Sequence, residues 1–296
     1  MDLIGAAESG DIIKVRELLD RGADPNIRDD DGWTALISAS LKGNTEIVEL
    51  LLDNDADPNI QEDYDGETAL MEASYHGNTE SVGLLLENDA DPNIQCHSGE
   101  TSLMMASSQG HIDIVRLLLD RGADPNIRDD DGDTALMIAA YHSRNKTVEL
   151  LLDRGADPNI QNRFFGNTAL IFASRSGHIE IVRLLLDHEA VPNIRDRDGE
   201  TASMIAERRG HNDVARLIRD HIGLQKARQR LAFATFLLGD DTHMDDLDYD
   251  VTSRIADYLH DLDQYGSGSK RSSRRKSKRR RRRRKRKNYT RRTSFF

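Results

Sequence analysis

The chain has a single cysteine, six prolines and 5% aromatic residues among its 296. One cysteine excludes a disulfide framework and any Cys-rich zinc module. No stretch approaches the roughly 18 apolar residues of a membrane helix, so no membrane role is expected. The opening residues Met1 to Glu8 show neither the basic segment nor the apolar core of a secretory signal. An intracellular, reducing setting is the expectation. The aromatic content is thin for one large, deeply buried core. A formal net charge of -11, taken at face value, argues for a self-repelling protein and against nucleic acid as partner. Length alone points to about two domains, but the placement of the prolines points elsewhere.

Pro25, Pro58, Pro92, Pro125, Pro158 and Pro192 follow one another at intervals of 33, 34, 33, 33 and 34 residues. The sequence Ala23-Asp24-Pro25-Asn26-Ile27 recurs at residues 56–60, 90–94, 123–127 and 156–160, and a sixth copy, 190–194, differs only at Val191. A glycine series runs in step: Gly32, Gly66, Gly99, Gly132, Gly166 and Gly199, each followed two residues later by threonine. Two periodic series in fixed phase define a repeat protein, not a single globular core.

One unit, residues 131–160, can be read physically. Asp131-Gly132 is a turn signal. Thr134 has the chemistry of a helix N-cap, its hydroxyl placed to accept from the free amides of the first turn. Leu136, Met137, Ala139 and Ala140 give the first helix an apolar face with small residues, which lets a neighbour approach closely. A glycine usually stops this helix (Gly43, Gly77, Gly110, Gly177, Gly210), and Ser143 stands in its place here. A second helix over Val148-Glu149-Leu150-Leu151-Leu152 ends at Gly155. Asp157-Pro158-Asn159 then leads away in extended form, because proline cannot continue a helix.

Asp-x-Gly-x-Thr, a short Ala-containing helix, Gly-His/Asn, Val-x-x-Leu-Leu and Gly-Ala-Asp-x-Asn, in that order and phase from residue 3 to about 220, resemble the ankyrin repeat. The resemblance implies an all-α ankyrin-repeat solenoid of helix-turn-helix units with β-hairpin turns, stacked in an L shape. Stability then comes largely from contacts between neighbouring units. Residues 1–222 are expected to form the array, an N-terminal cap from Leu3 to Asp20 followed by six units. Residues 223–241 are expected as a capping helix, with Ala227, Leu231, Ala234 and Leu238 at helical spacing. The family's Thr-Pro-Leu-His is here Thr-Ala-Leu followed by Ile or Met, so the usual His-centred hydrogen bonds are absent. The glycine ending the second helix becomes Asp55, Asp89 and Glu189, where a positive φ is costly for a side chain and local weakness is expected.

The five leucine triplets lie in successive helices at the repeat spacing and read as core, not as a zipper. The acidic turns, such as Asp29-Asp30-Asp31 and Asp129-Asp130-Asp131, do not supply the ligand offsets of a calcium loop. There is no H-E-x-x-H, no C-x-x-C and no nucleophile elbow, so neither enzyme, metal nor cofactor is expected. Cys96-His97 reads as a turn pair, and His111, His178 and His211, each after a helix-ending glycine, read as structural.

The family resemblance implies recognition of a partner protein by hairpin tips and the exposed, concave face of the first helices, by a monomer without catalysis. Carried onto this chain, the variable first-helix position reads Ser38, Glu72, Met105, Ile138, Phe172 and Ile205, predicting an apolar strip from Met105 to Ile205. Trp33, Tyr64, Phe164 and Phe165 are aromatics at tips that face water, the usual anchors of an interface. Partner binding is therefore assigned to Trp33, Tyr64, Met105, Ile138, Phe164, Phe165 and Phe172.

Residues 242–263 contain a second signal. Leu247-Asp248-Tyr249-Asp250-Val251 through Ile255, Tyr258 and Leu259 is similar to the opening of an F-box, with Asp248 where proline belongs. Val251, Ile255, Tyr258 and Leu259 would share one apolar helix face. An array followed by such a helix looks like ankyrin proteins of large DNA viruses, in which the implied role is to hold targets for a cullin ubiquitin ligase through a Skp1-type adaptor.

Residues 264–296 are expected to be disordered. From Lys270 onward there are 17 Lys+Arg and no acid, which leaves 24 basic and 52 acidic residues before it, a balance of -28. The mild overall acidity therefore hides a basic arm on an acidic body. The arm favours the nucleus and suits RNA or DNA, where binding would be phosphate-driven and salt-dependent. It also suits a counter-charge for the chain's own body.

Overall fold

A computed structural model of the chain describes residues 2–238. Its helices come in seven pairs: α1 (Leu3–Ser9) with α2 (Ile12–Asp20), α3 (Ala35–Lys42) with α4 (Thr45–Leu52), α5 (Ala69–His76) with α6 (Thr79–Glu87), and α7 (Ser102–Gln109) with α8 (Ile112–Asp120). There follow α9 (Ala135–Tyr141) with α10 (Asn145–Asp153), α11 (Ala169–Ser176) with α12 (Ile179–Asp187), and α13 (Ala202–Arg209) with α14 (Asn212–Leu238). Residues 1–222 form one compact body, and a second unit starts at Gly223. The expected further helix from Leu224 is not a separate element; it is the continuation of α14.

Each first helix starts as its sequence predicts. Thr34, Thr68, Thr101, Thr134, Thr168 and Thr201 are extended, and each Oγ1 accepts from the amide three residues on. Such a cap stabilises by about 1 kcal/mol. The first helices pack on one another along the stack and on their own second helices. From α3 to α11 their alanines and following apolar residues (Ala35, Leu36, Ile37, Ala39 and equivalents) are almost fully buried, whereas in α13 Met204 is 47% exposed. In each leucine triplet the middle residue carries the core: Leu51, Leu85, Leu118, Leu151 and Leu185 are all at 0% exposure.

The turn after each first helix shows why glycine is used there. Gly77 has φ 81°, and a Cβ would come within 2.8 Å of the His111 imidazole of the next unit. That imidazole bonds to the Tyr75 carbonyl at 3.1 Å, so His111 acts as a rung between units. Asn44 to Ala7, Asn78 to Ser40 and Arg144 to Ser108 repeat the rung with other donors. Ser143, Asp55, Asp89 and Glu189 take φ of 60–64°, so the strain expected of non-glycine residues at the last three is present.

A second ladder uses the asparagine of Asp-Pro-Asn. Asn93 donates to Gly122 O and accepts from the Asp124 amide (3.1 and 2.8 Å). Asn26, Asn59, Asn126 and Asn159 repeat the pair. A third ladder runs through the turns, where Arg28, Gln61, Gln95, Arg128 and Gln161 each donate to the backbone of the following unit. These ladders satisfy backbone groups that helix and loop leave free.

The predicted β-hairpins are turns without strands. Among the described residues only Arg195 and Thr201 form a bridge. The tips close instead by single backbone bonds such as Asp29 N to Trp33 O, and each bonds to the next, as in Asp63 N to Asp31 O.

Candidate functional site

In five of the six tips the opening side chain accepts from backbone amides of the turn, the exception being Cys96. Asp29 Oδ1 accepts from the amides of Asp31 and Trp33, and Asp196 does the same for Asp198 and Glu200. The two 34-residue intervals place one extra residue in a tip, at 62–67 and 162–167. Where Asp29 closes the shorter turn, Glu62 reaches across the longer one. It accepts from the amides of Tyr64, Asp65 and Glu67 at 2.6, 2.7 and 3.0 Å. Burial works to raise the Glu62 carboxyl, but these amides together hold it below its ordinary value. Asn162 accepts from Asn167 in the second long tip. The longer turns carry their aromatic side chains outward: Tyr64 is 83% exposed, Phe164 56% and Phe165 64%.

Two tips and a helix enclose a cleft of about 250 Å³. Asp31 and Trp33 line it from the first tip, Glu62, Tyr64, Asp65 and Glu67 from the second, and Glu72 from α5. Glu72 is only 7% exposed. Burial, then the charge of Glu67, pushes its carboxyl up to about 8. Burial also raises Glu67, which shares a hydrogen bond with Glu72. Burial and the like charge of Glu67 therefore favour the protonated carboxyl of Glu72 at neutral pH. His76 Nε2 lies 3.6 Å from Glu72.

Further along, burial pushes Asp129 up to about 6 against the opposing Asp133 amide, and the charges of Asp133 and Asp131 add to it. Burial raises Asp133 as well, although the Asn162 amide, 3.0 Å away, works against it. On the first-helix face, Tyr141 meets Phe172 edge-on with ring centroids 6.0 Å apart. The Arg175 guanidinium lies 5.9 Å from the Phe172 centroid and donates to Asn167 at 3.1 Å. Among the described residues no group of His, Cys, Asp and Glu is arranged to hold a metal ion, and no helix is long and apolar enough to cross a membrane.

A family profile described as ankyrin repeats (3 copies) matches residues 3–96, 88–162 and 155–230. The chain belongs to the ankyrin-repeat family. Among solved structures it is similar to the human ASB11 ankyrin repeat domain, at 25% identity and a TM-score of 0.65. The match covers 74% of this chain and 97% of that one. No curated protein matches the sequence. Ankyrin repeats mark the array as a scaffold for protein–protein interaction.

The ankyrin array distributes the predicted binding residues unevenly. Tyr64, Phe164 and Phe165 are exposed at tips, whereas Trp33 is half-buried against the core and lines the acidic cleft. Ile138 and Phe172 are half-buried on the first-helix face. Met105 is 6% exposed, packed with Met71, Cys96 and Ile94, and Ile205 is fully buried. The predicted strip is therefore interrupted at both ends. The fourth residue after each capping threonine can lie under the tip of its own unit, as Met105 does against Ile94 and Cys96. The surface signal sits three residues further on, at Tyr75 and Tyr141, which are 47% and 55% exposed. Sequence reasoning missed this register and the Glu67–Glu72 pair. The available clue was Glu72 itself, the one acid among the six fourth-position residues. Leu247, Val251, Ile255, Tyr258, Leu259 and the basic tail lie outside the described residues.

Proposed function

We propose that this ankyrin array holds a partner protein, without catalysis, against the tip of its fifth full unit and the adjoining first-helix faces. The observation that carries this reading is the pair of adjacent phenylalanines, Phe164 and Phe165, held outward on a turn closed by Asn162. Large aromatic surface kept in water by a hydrogen-bonded loop serves an interface better than it serves folding. Tyr141 and Phe172, stacked edge-on, extend the surface onto the helices. Affinity purification with the full chain and its F164A/F165A variant tests the reading. Loss of a specific partner from the variant, with unchanged circular dichroism, is the expected result. An identical partner list at identical abundance overturns it.

A second reading adds an output to this grip. Residues 247–259 match six of the seven defining positions of an F-box opening, which suits a Skp1-type adaptor and delivery of the bound target to a cullin ligase. An I255A/Y258A variant should lose the adaptor and keep the target. The basic residues 270–296 suit RNA or DNA, and nucleic-acid affinity that survives their replacement by glutamine removes that role.

A further inference from the structure

The residue just before each capping threonine closes the tip, and in four of the six units it is acidic: Glu67, Glu100, Asp133 and Glu200. Three of these acids receive a donor from within the chain. Ser98 Oγ donates to Glu100 at 3.2 Å and Asn162 Nδ2 to Asp133 at 3.0 Å. Arg208 forks onto Glu200 through Nε and Nη2 at 3.1 and 2.6 Å. In the fifth unit the closing residue is Asn167, and Arg175 donates to it while lying over the Phe172 ring. Arg175 and Arg208 occupy one and the same place, the seventh position after the capping threonine. The array thus seats a guanidinium beside the tip-closing residue in two of its units.

In the second unit the seventh position is Tyr75, the carboxyl of Glu67 meets that of Glu72, and the basic group nearest them is the His76 imidazole, its Nε2 3.6 Å from Glu72, in place of a guanidinium. Beside this pair lies the cleft of about 250 Å³, walled by Trp33 and Tyr64 and carrying further carboxylates at Asp31, Glu62 and Asp65. The volume lies below that of most small-molecule sites, roughly 300–1,000 Å³, and suits a single side chain. Aromatic faces and carboxylates together attract a cation. A planar guanidinium forks onto carboxylates and stacks on rings, and it is less strongly hydrated than an ammonium, so arginine fits this lining better than lysine.

We propose that this cleft receives an arginine side chain of a partner protein, the guanidinium bonding to Glu67 and Glu72 and stacking against Trp33 and Tyr64. The proposal rests on the reading that tips and first-helix faces are the binding surface, and it names the chemistry recognised at one point of that surface. An incoming guanidinium supplies the positive charge that Arg208 supplies to Glu200.

Trp33 is the chain's only tryptophan, so its emission reports occupancy directly. The test titrates the full chain with a blocked arginine-containing peptide and with its citrulline counterpart, which keeps the shape and loses the charge. The expected result is a saturable change in Trp33 emission with the arginine peptide, at least about tenfold weaker binding of the citrulline peptide, and a similar loss in E67Q and in E72Q. E100Q should bind as the wild type does. Circular dichroism checks folding, and E67Q provides a second variant should E72Q alter the helix. Equal binding of the two peptides, or unchanged binding by both variants, overturns the proposal. Binding that appears only when Arg279 to Arg284 are changed to glutamine also overturns it, because the chain's own arginines then hold the site. F164A/F165A should leave this titration unchanged, so the tip reading and the arginine site can fail separately.

Discussion

Glu72→Gln should stabilise the array at neutral pH. The Glu72 carboxyl is pushed up to about 8 by burial and by Glu67, against an ordinary value of 4.5. The unfolded chain releases this proton near 4.5 and the folded chain keeps it to about 8, so the folded state binds more protons in between. Stability must then fall as pH rises through that window, by about 1.4 kcal/mol per unit from this group. From 4.5 to 7 the loss is roughly 3 kcal/mol. Glutamine keeps the shape and can donate to Glu67, but it has no proton to lose. Urea unfolding followed by circular dichroism, on wild type and E72Q at pH 5, 6 and 7.5, reads the difference directly. The variant's advantage should be about 1 kcal/mol at pH 5 and grow by about a further 3 kcal/mol by pH 7.5. Comparing the two proteins at each pH cancels the contributions of Asp129 and Asp133, whose raised carboxyls tilt stability the same way. A difference that stays constant between pH 5 and 7.5 would refute the argument, since it would mean that Glu72 ionises alike in both states.

Glu189→Gly should stabilise by about 1 kcal/mol, because Glu189 holds φ 64° where Gly22, Gly122 and Gly155 stand in other units; unchanged denaturation midpoints would remove that strain from the account. Ser74→Ala should also raise the midpoint, on the order of 1 kcal/mol, since its buried hydroxyl has no hydrogen-bond partner and Ala140 already occupies the equivalent place; a loss of stability would show a missed partner. Leu118→Ala, at the centre of a triplet, should cost about 2–5 kcal/mol in the same assay, and a cost below 1 kcal/mol would contradict its burial. Asn93→Ala should raise amide exchange at Asp124 selectively, because it removes the acceptor of that amide; unchanged exchange there would show that the ladder contributes no protection.

Much of the fold was legible because each unit carries its own punctuation. Threonine caps, helix-ending glycines and Asp-Pro-Asn turns act within a few residues, so their phase alone gives element order. The positive φ at Asp55, Asp89 and Glu189 was readable for the same reason: the other units show glycine there. The candidate site was less legible. Met105 was expected at the surface because the family resemblance assigns its position to the recognition face, and it is buried because it packs with Met71, Ile94 and Cys96. Trp33 was expected to face water at a tip, but it is half-buried against the core, and its contribution to an acidic cleft depends on the neighbouring tip and on α5.

The sequence by itself determined the repeat, its period, the caps and stops of its helices, and the aromatic tips, because each follows from the conformational preferences of a few adjacent residues. Only the tertiary structure decided which of those residues meet. Glu67 and Glu72 are five residues apart and look like two ordinary acids. The folded unit buries one of them, closes a cleft beside both and sets His76 Nε2 3.6 Å from Glu72, whereas the Arg208 guanidinium forks onto Glu200 in the last unit. Burial and neighbouring charge set a carboxyl's proton affinity, and the charges of Glu67, Glu62 and Asp65 reach Glu72 only once the tip has folded against α5.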